Sequence, residues 1–156
     1  MSEILHVEPR RTCLAYSRGG HLAELERALE GIVFLDCYHV TYGGGRPTRL
    51  AARRIYSLCH PRRSFLRTLL NALQAFFVLL RERPRLVIST GADVAVPTVI
   101  LGKLSGAEVI FIETAAALRG SLSGRLCRRF ADLFIVQWPE QKARFPEAQL
   151  ASGPLL

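Results

Sequence analysis

The chain holds no stretch of roughly 18 uninterrupted apolar residues, so none of it reads as a membrane span. Its most apolar segment is interrupted by Arg67, Asn71 and Gln74. The opening residues, MSEILHVEPRR, carry acidic side chains and no long apolar centre, which is not the pattern of a secretory signal. Cysteines are few and scattered: Cys13, Cys37, Cys59 and Cys127 stand too far apart for C-x-x-C chemistry or a zinc knuckle. Three fall in predicted strands or helices and read as small buried hydrophobes, in keeping with a reduced, cytosolic setting. The first glycine turn lacks G-x-G-x-x-G and an acidic residue placed to hold a ribose, so nicotinamide binding is unsupported. The chain also lacks G-x-x-x-x-G-K-[ST], G-x-S-x-G and H-E-x-x-H, the marks of a P-loop, a nucleophile elbow and a zinc protease. Nothing calls for a metal or an organic cofactor.

Acidic charge is missing from one region. Between Arg46 and Arg85 stand ten arginines (46, 49, 53, 54, 62, 63, 67, 81, 83, 85) against Glu82 alone, a net +9 in a chain of formal charge +8. Such a block is a solvated face, a nucleic-acid patch, or a surface that meets anionic lipid headgroups. No RRM, KH or helix-turn-helix signature accompanies it, and few aromatics interleave its arginines, so a basic nucleic-acid-binding α/β protein is the weakest alternative.

What is present is a globular pattern. The 156 residues, 49% of them hydrophobic, suffice for one domain (1–156) with a sizeable core. Strands are expected at Thr12–Ser17, Ile32–Val40, Arg54–Leu58, Leu86–Ile88, Glu108–Ile112 and Asp132–Val136. Helical segments alternate with them: Leu22–Leu29 with Glu24, Glu26 and Arg27 outside, a long helix after His60-Pro61, one capped by Asp93, then Leu122–Phe130 and Glu140–Phe145. This alternation predicts a doubly wound, Rossmann-like parallel sheet with helices on both faces.

The stretch RLVISTGADVAVP (85–97) organises the rest. Leu86-Val87-Ile88 is a short β-branched run suited to a strand buried on both faces. Ser89-Thr90-Gly91 then turns into a helix, and such a turn at the carboxyl edge of a parallel sheet offers backbone N–H groups to an anion. The same edge should carry Gly19-Gly20-His21, and Glu113 with Arg119. The glycine turns suit a phosphate or diphosphate. His21 is placed to take a proton from a hydroxyl, Glu113 to act as a second base or to orient the histidine, and Arg119 to pair with an anion.

The long helix has Phe65, Leu66, Leu69, Leu70, Leu73, Phe76, Phe77 and Leu80 at 3-4 spacing, more apolar surface than a crossover helix needs. With arginines at both ends it suits a helix lying in a membrane interface; equally, it suits one sandwiched between the sheet and a neighbouring helix or subunit.

The motifs YSRGGHLAEL, STGADVAVP, VIFIETAAALRGSLSGRL, ADLFIVQWPE and SGPL, in this order from about Cys13 to Leu155, resemble the Alg-fourteen family of asparagine-linked glycosylation. That family's bacterial members include the PssD-type proteins of exopolysaccharide and capsule synthesis. Gly19-Gly20-His21 is also similar to the first glycine loop of MurG-like glycosyltransferases. The resemblance implies the N-terminal, acceptor-binding half of a GT-B glycosyltransferase, working in a heterodimer with a separate PssE-like (Alg-thirteen-type) subunit that binds the UDP-sugar. It implies a polyprenyl-diphosphate saccharide as acceptor, at the cytoplasmic face of the inner membrane; eukaryotic members carry an amino-terminal anchor, from which this sequence departs, so interfacial attachment is expected. On this reading His21 is the general base with Glu113 its substitute. Gly19, Gly20, Thr90, Gly91 and Arg119 hold the diphosphate. Arg62, Arg63, Phe65, Leu66, Leu69, Leu73, Phe76 and Phe77 meet the membrane, and Trp138, Gly153 and Leu155 dock the partner. A non-catalytic membrane anchor that activates a complete transferase is the other reading kept open.

Overall fold

The computed structural model describes residues 3, 6–44 and 46–155. Gly45 in the glycine loop and Leu156 in the tail lie outside the described residues. Seven strands form one parallel sheet among the described residues: β1 (His6–Ala15), β2 (Ile32–Thr41), β3 (Arg54–Ser57), β4 (Leu86–Ser89), β5 (Glu108–Ile112), β6 (Leu133–Val136) and β7 (Gln149–Leu150). Their spatial order is β3-β2-β1-β4-β5-β6-β7, and every pairing is parallel. The chain winds outward from β1 to β3, then crosses back to lay β4 against the other side of β1. Between β1 and β4 the connections leave in opposite directions, the switch point at whose carboxyl edge parallel sheets of this kind form a ligand crevice.

Both faces of the sheet are covered. Cys13 and Ala15 of β1 point to a core shared with α2 (Phe65–Glu82), α3 (Val96–Leu104) and α4 (Leu122–Cys127), whose Ala75, Val78, Val99 and Cys127 are buried there. Leu14 and Tyr16 point to the opposite core, closed by Leu22, Leu25 and Leu29 of α1 (Gly20–Ala28) and its end. This two-residue alternation is the pleat of a strand buried on both sides. A last helical turn, α5 (Pro139–Lys142), precedes β7.

Several expectations shift. β1 begins earlier, at His6, through an irregularity between Glu8 and Arg11 that accommodates Pro9. The edge strand β7 was not expected: its two residues are polar or exposed and carry no alternation. Asp93 does not cap α3. It sits in a turn over 93–95, accepting from the Val94 amide, and the helix starts at Val96. α2 is capped by Ser64, whose hydroxyl accepts from the Arg67 amide, and it ends at left-handed Arg83 before Pro84. Arg62 and Arg63, in the loop ahead of it, both hold positive φ (47° and 57°), an uncommon backbone for residues with a Cβ.

Candidate functional site

At the carboxyl edge the β1–α1 and β4–α3 connections are clasped by two reciprocal hydrogen bonds. The Thr90 hydroxyl donates to the His21 carbonyl at 2.8 Å, and His21 Nδ1 lies 2.7 Å from the Thr90 carbonyl. A carbonyl only accepts, so Nδ1 carries the proton and Nε2 is the lone-pair nitrogen of the neutral ring. His21 is partly exposed and Gly19 and Gly20 are exposed. Gly19 stands before α1 at φ 135° and ψ −132°, a conformation open to glycine alone, and no side chain caps the helix. Its first amides therefore have no side-chain cap.

The other predicted diphosphate ligands are placed differently. Thr90 is 1% exposed and belongs to the clasp. Gly91 is buried, and its amide donates to the Ser89 hydroxyl at 3.0 Å, so it is not free for an anion. Glycine is required there for other reasons: φ is 94°, and a Cβ would stand 2.9 Å from Ser123 Oγ. Arg119 is exposed on the β5–α4 connection. Of the five residues expected to hold the diphosphate, Gly19, Gly20 and Arg119 are exposed, whereas Thr90 and Gly91 are engaged within the fold.

Glu113, at the end of β5, is fully buried. Its Oε1 accepts from the Thr114 amide (3.0 Å) and Oε2 from the Ser121 amide (3.3 Å). Gly124 on α4 makes room for this carboxyl, since a Cβ there would come within 1.8 Å of Oε2. Burial pushes the Glu113 carboxyl above its ordinary range, opposed by the hydrogen bonds from Ser121 and Thr114 and by nearby His21. Both oxygens of the residue expected as the substitute base are thus engaged inside the fold, where it holds the β5–α4 connection beside His21.

Sequence reasoning missed Glu24. Its polarity placed it on the outer face of α1, yet it is 1% exposed. Oε1 accepts from the Ala115 amide at 2.7 Å and, at 3.2 Å each, from the Thr114 hydroxyl and Gln137 Nε2. Gln137 also donates to the Glu113 carbonyl, and Gln141 donates to the Thr114 and Ala117 carbonyls. One turn after His21, Glu24 therefore ties the histidine's helix to the connection carrying Glu113 and Arg119. No signal in the sequence separates it from the more exposed Glu26, because its partners lie some 90 residues or more away.

Two of the residues expected to dock a partner are engaged within the chain. The Trp138 indole N–H donates to the Ala115 carbonyl at 2.9 Å. Leu155 packs against the α1-side core, and its amide donates to Gln137 Oε1 at 2.6 Å. Gly153 alone of the three is fully on the surface.

On the opposite side of the sheet from α1, helix α2 buries only Asn71, Ala75, Val78, Leu79 and Glu82. Phe65, Leu66, Leu69, Leu73, Phe76 and Phe77 are 44–81% exposed, and Leu70 and Leu80 join them. Nothing among the described residues covers this stripe. Arg62, Arg63 and Arg67 flank its start, and Arg81 and Arg83 its end, all exposed. Part of the basic block is engaged elsewhere: Arg46 pairs with Glu26, and Arg53 and Arg54 with Glu82. No described helix is long and apolar enough to cross a membrane.

Comparison with known proteins agrees with this architecture. A protein of the fold, MurG of Acinetobacter baumannii, superposes with a TM-score of 0.61 over 92% of this chain and 44% of its own, at 16% identity. A UDP-N-acetylglucosamine 2-epimerase superposes at 0.69 over 90% of this chain and 45% of its own, at 10% identity, so the sheet is common to proteins of different activity. Among curated proteins, the UDP-N-acetylglucosamine transferase subunit ALG14 of Eremothecium gossypii is 34% identical over 147 residues, covering 85% of this chain and 58% of its own length. The mouse protein of the same name is 36% identical over 81 residues, 47% of this chain and 37% of its own. The chain thus spans less than two thirds of these relatives. Residues 51–154 match the family model described as oligosaccharide biosynthesis protein Alg14 like, and the chain belongs to that family.

Proposed function

We propose that this chain is the acceptor-binding, membrane-associating subunit of a two-component glycosyltransferase that moves a sugar from a UDP-sugar to a polyprenyl-diphosphate-linked saccharide. Relatives named as subunits of a UDP-N-acetylglucosamine transferase support the class of reaction. The observation that carries the reading is the joint presence of His21 at the switch-point edge of the sheet and a bare, arginine-flanked apolar helix. A lipid-linked acceptor needs both.

In the proposed mechanism, the amides at Gly19 and Gly20 with Arg119 hold the acceptor diphosphate at the N-terminus of α1. His21, held in its Nδ1–H tautomer by the Thr90 carbonyl, presents Nε2 to the acceptor hydroxyl. As that oxygen bonds to the anomeric carbon, Nε2 takes its proton and the bond to UDP breaks. The departing UDP is stabilised by a PssE-like donor-binding subunit, which reaches the crevice from the carboxyl edge. Glu24 and Glu113 hold the β5–α4 connection in register with His21. The stripe on α2 lies in the cytoplasmic leaflet of the inner membrane, its arginines meeting anionic headgroups.

Equilibrium binding tests this directly. The chain should bind a polyprenyl-diphosphate saccharide presented in vesicles, with affinity that falls as salt rises. It should show no measurable affinity for UDP-sugars on its own. Tight UDP-sugar binding without acceptor binding would reverse the assignment.

A further inference from the structure

Beside the Gly91–Asp93 turn, a groove of about 440 Å3 opens at the corner where α2, α3 and α4 meet. Val96 and Pro97 of α3, Leu122 and Leu126 of α4, Thr68 of α2 and Arg63 ahead of it line its walls. Leu122 and Leu126 lie one turn apart and are 71% and 48% exposed, although neither belongs to the apolar stripe of α2. Asp93, also in the lining, stands 3.5 Å from His60 Nδ1, so its charge faces the β3–α2 loop as well as the groove. Its floor adjoins the catalytic edge: the Ala92 amide donates to Ser123 Oγ, and Ser123 is part of the lining.

The groove thus lies between two places already described. On one side is the crevice of His21; on the other, α2 begins its stripe at Phe65 and Leu66, flanked by Arg62, Arg63 and Arg67. A volume of this size suits a small apolar ligand, and the neighbouring arginines complement an anion attached to it. We propose that the groove seats the first isoprenoid units of the acceptor lipid, guiding the chain from the diphosphate at the carboxyl edge to the bilayer at α2. This inference rests on the acceptor-binding reading given above. A protein segment docked on Leu122 and Leu126 is the rival occupant.

Calorimetric titration with farnesyl diphosphate, below its micelle concentration, and with inorganic diphosphate separates the cases. Farnesyl diphosphate should bind roughly tenfold or more tightly, from burial of a few methylene equivalents. Leu122→Glu and Leu126→Gln, both at exposed positions, should each reduce that preference, and together abolish it. Leu73→Glu on α2 should leave it intact. Equal affinities for the two probes in the unaltered chain would overturn the groove while leaving the acceptor reading standing. So would a preference that survives in the double variant, or one lost with Leu73→Glu instead. Loss of complex formation with a donor subunit, with the farnesyl preference unchanged, would assign the groove to the protein occupant. Binding of neither probe would overturn both proposals.

Discussion

At the residue scale, the site turns on which nitrogen of a histidine carries the proton. The Thr90 carbonyl fixes Nδ1–H on His21, so the ring needs no rearrangement to accept a proton at Nε2. His21→Ala, assayed with donor subunit and acceptor, should lower kcat/KM about 10²–10⁴-fold while acceptor binding changes little. Unchanged kcat/KM would remove His21 from the chemistry. A second histidine behaves as part of the core. His39 is fully buried; its Nε2–H donates to the Ala51 carbonyl and its Nδ1 accepts from the Tyr16 hydroxyl. Burial lowers its pKa from 6.5 to about 4. Between those values the unfolded chain binds a proton that the folded chain does not, so His39 costs stability as pH falls from about 6.5 to about 4. His39→Gln keeps a donor and an acceptor but has no such titration. Urea unfolding across this range should show the unaltered chain losing stability relative to the variant, by up to a few kcal/mol. Parallel pH profiles would contradict that assignment.

At the element scale, α2 is where pattern and structure agree most closely and where the chain leaves most apolar surface bare. Its 3-4 spacing announced both the helix and its excess of Phe and Leu, because periodicity is a local property of the sequence. Which side the excess faces was not local: it depends on α3 packing against one narrow face and on no described residue covering the other. Leu73→Glu with Phe77→Glu replaces two side chains that are 52% and 60% exposed. Each such group contributes about 1.5–3 kcal/mol when buried. Vesicle cosedimentation should therefore weaken roughly 100-fold or more, with thermal stability altered by no more than about 0.5 kcal/mol. Retained vesicle binding, or collapse of the fold, would show the stripe to be ordinary packing surface. Loop chemistry was less legible. Asp93 has the residue type of a cap, but Val94 and Ala95 separate it from the helix proper. Gly91 has the residue type of an anion turn, yet its amide is engaged by Ser89 only two residues earlier.

At the scale of the whole molecule, the doubly wound sheet was readable from the alternation of apolar runs and amphipathic segments. The crevice followed from its strand order. What escaped was every group whose environment is set across the sheet. Glu24 looked like a solvated helix residue until Thr114, Ala115 and Gln137 closed over it. Glu113 looked accessible until α4 and the Ser121 amide enclosed it. Part of the arginine block looked like free surface charge until Glu26, Asp36 and Glu82 took up Arg46, Arg53 and Arg54. What remains uncommitted lies chiefly around α2, where charge and apolar bulk stand together. One edge of the sheet carries a histidine and a glycine turn, and one helix leaves an apolar face bare among the described residues.

The central claim is that this chain supplies the acceptor grip and the base, and that the donor grip comes from another polypeptide. Its most direct test is sugar transfer to a polyprenyl-diphosphate saccharide in nanodiscs, measured with the purified chain alone and again with a donor-binding subunit added. The account predicts no turnover above background from the chain alone, and turnover that appears on addition of the subunit and depends on His21. Sustained transfer by the chain alone would contradict it, as would full transfer by the added subunit without the chain.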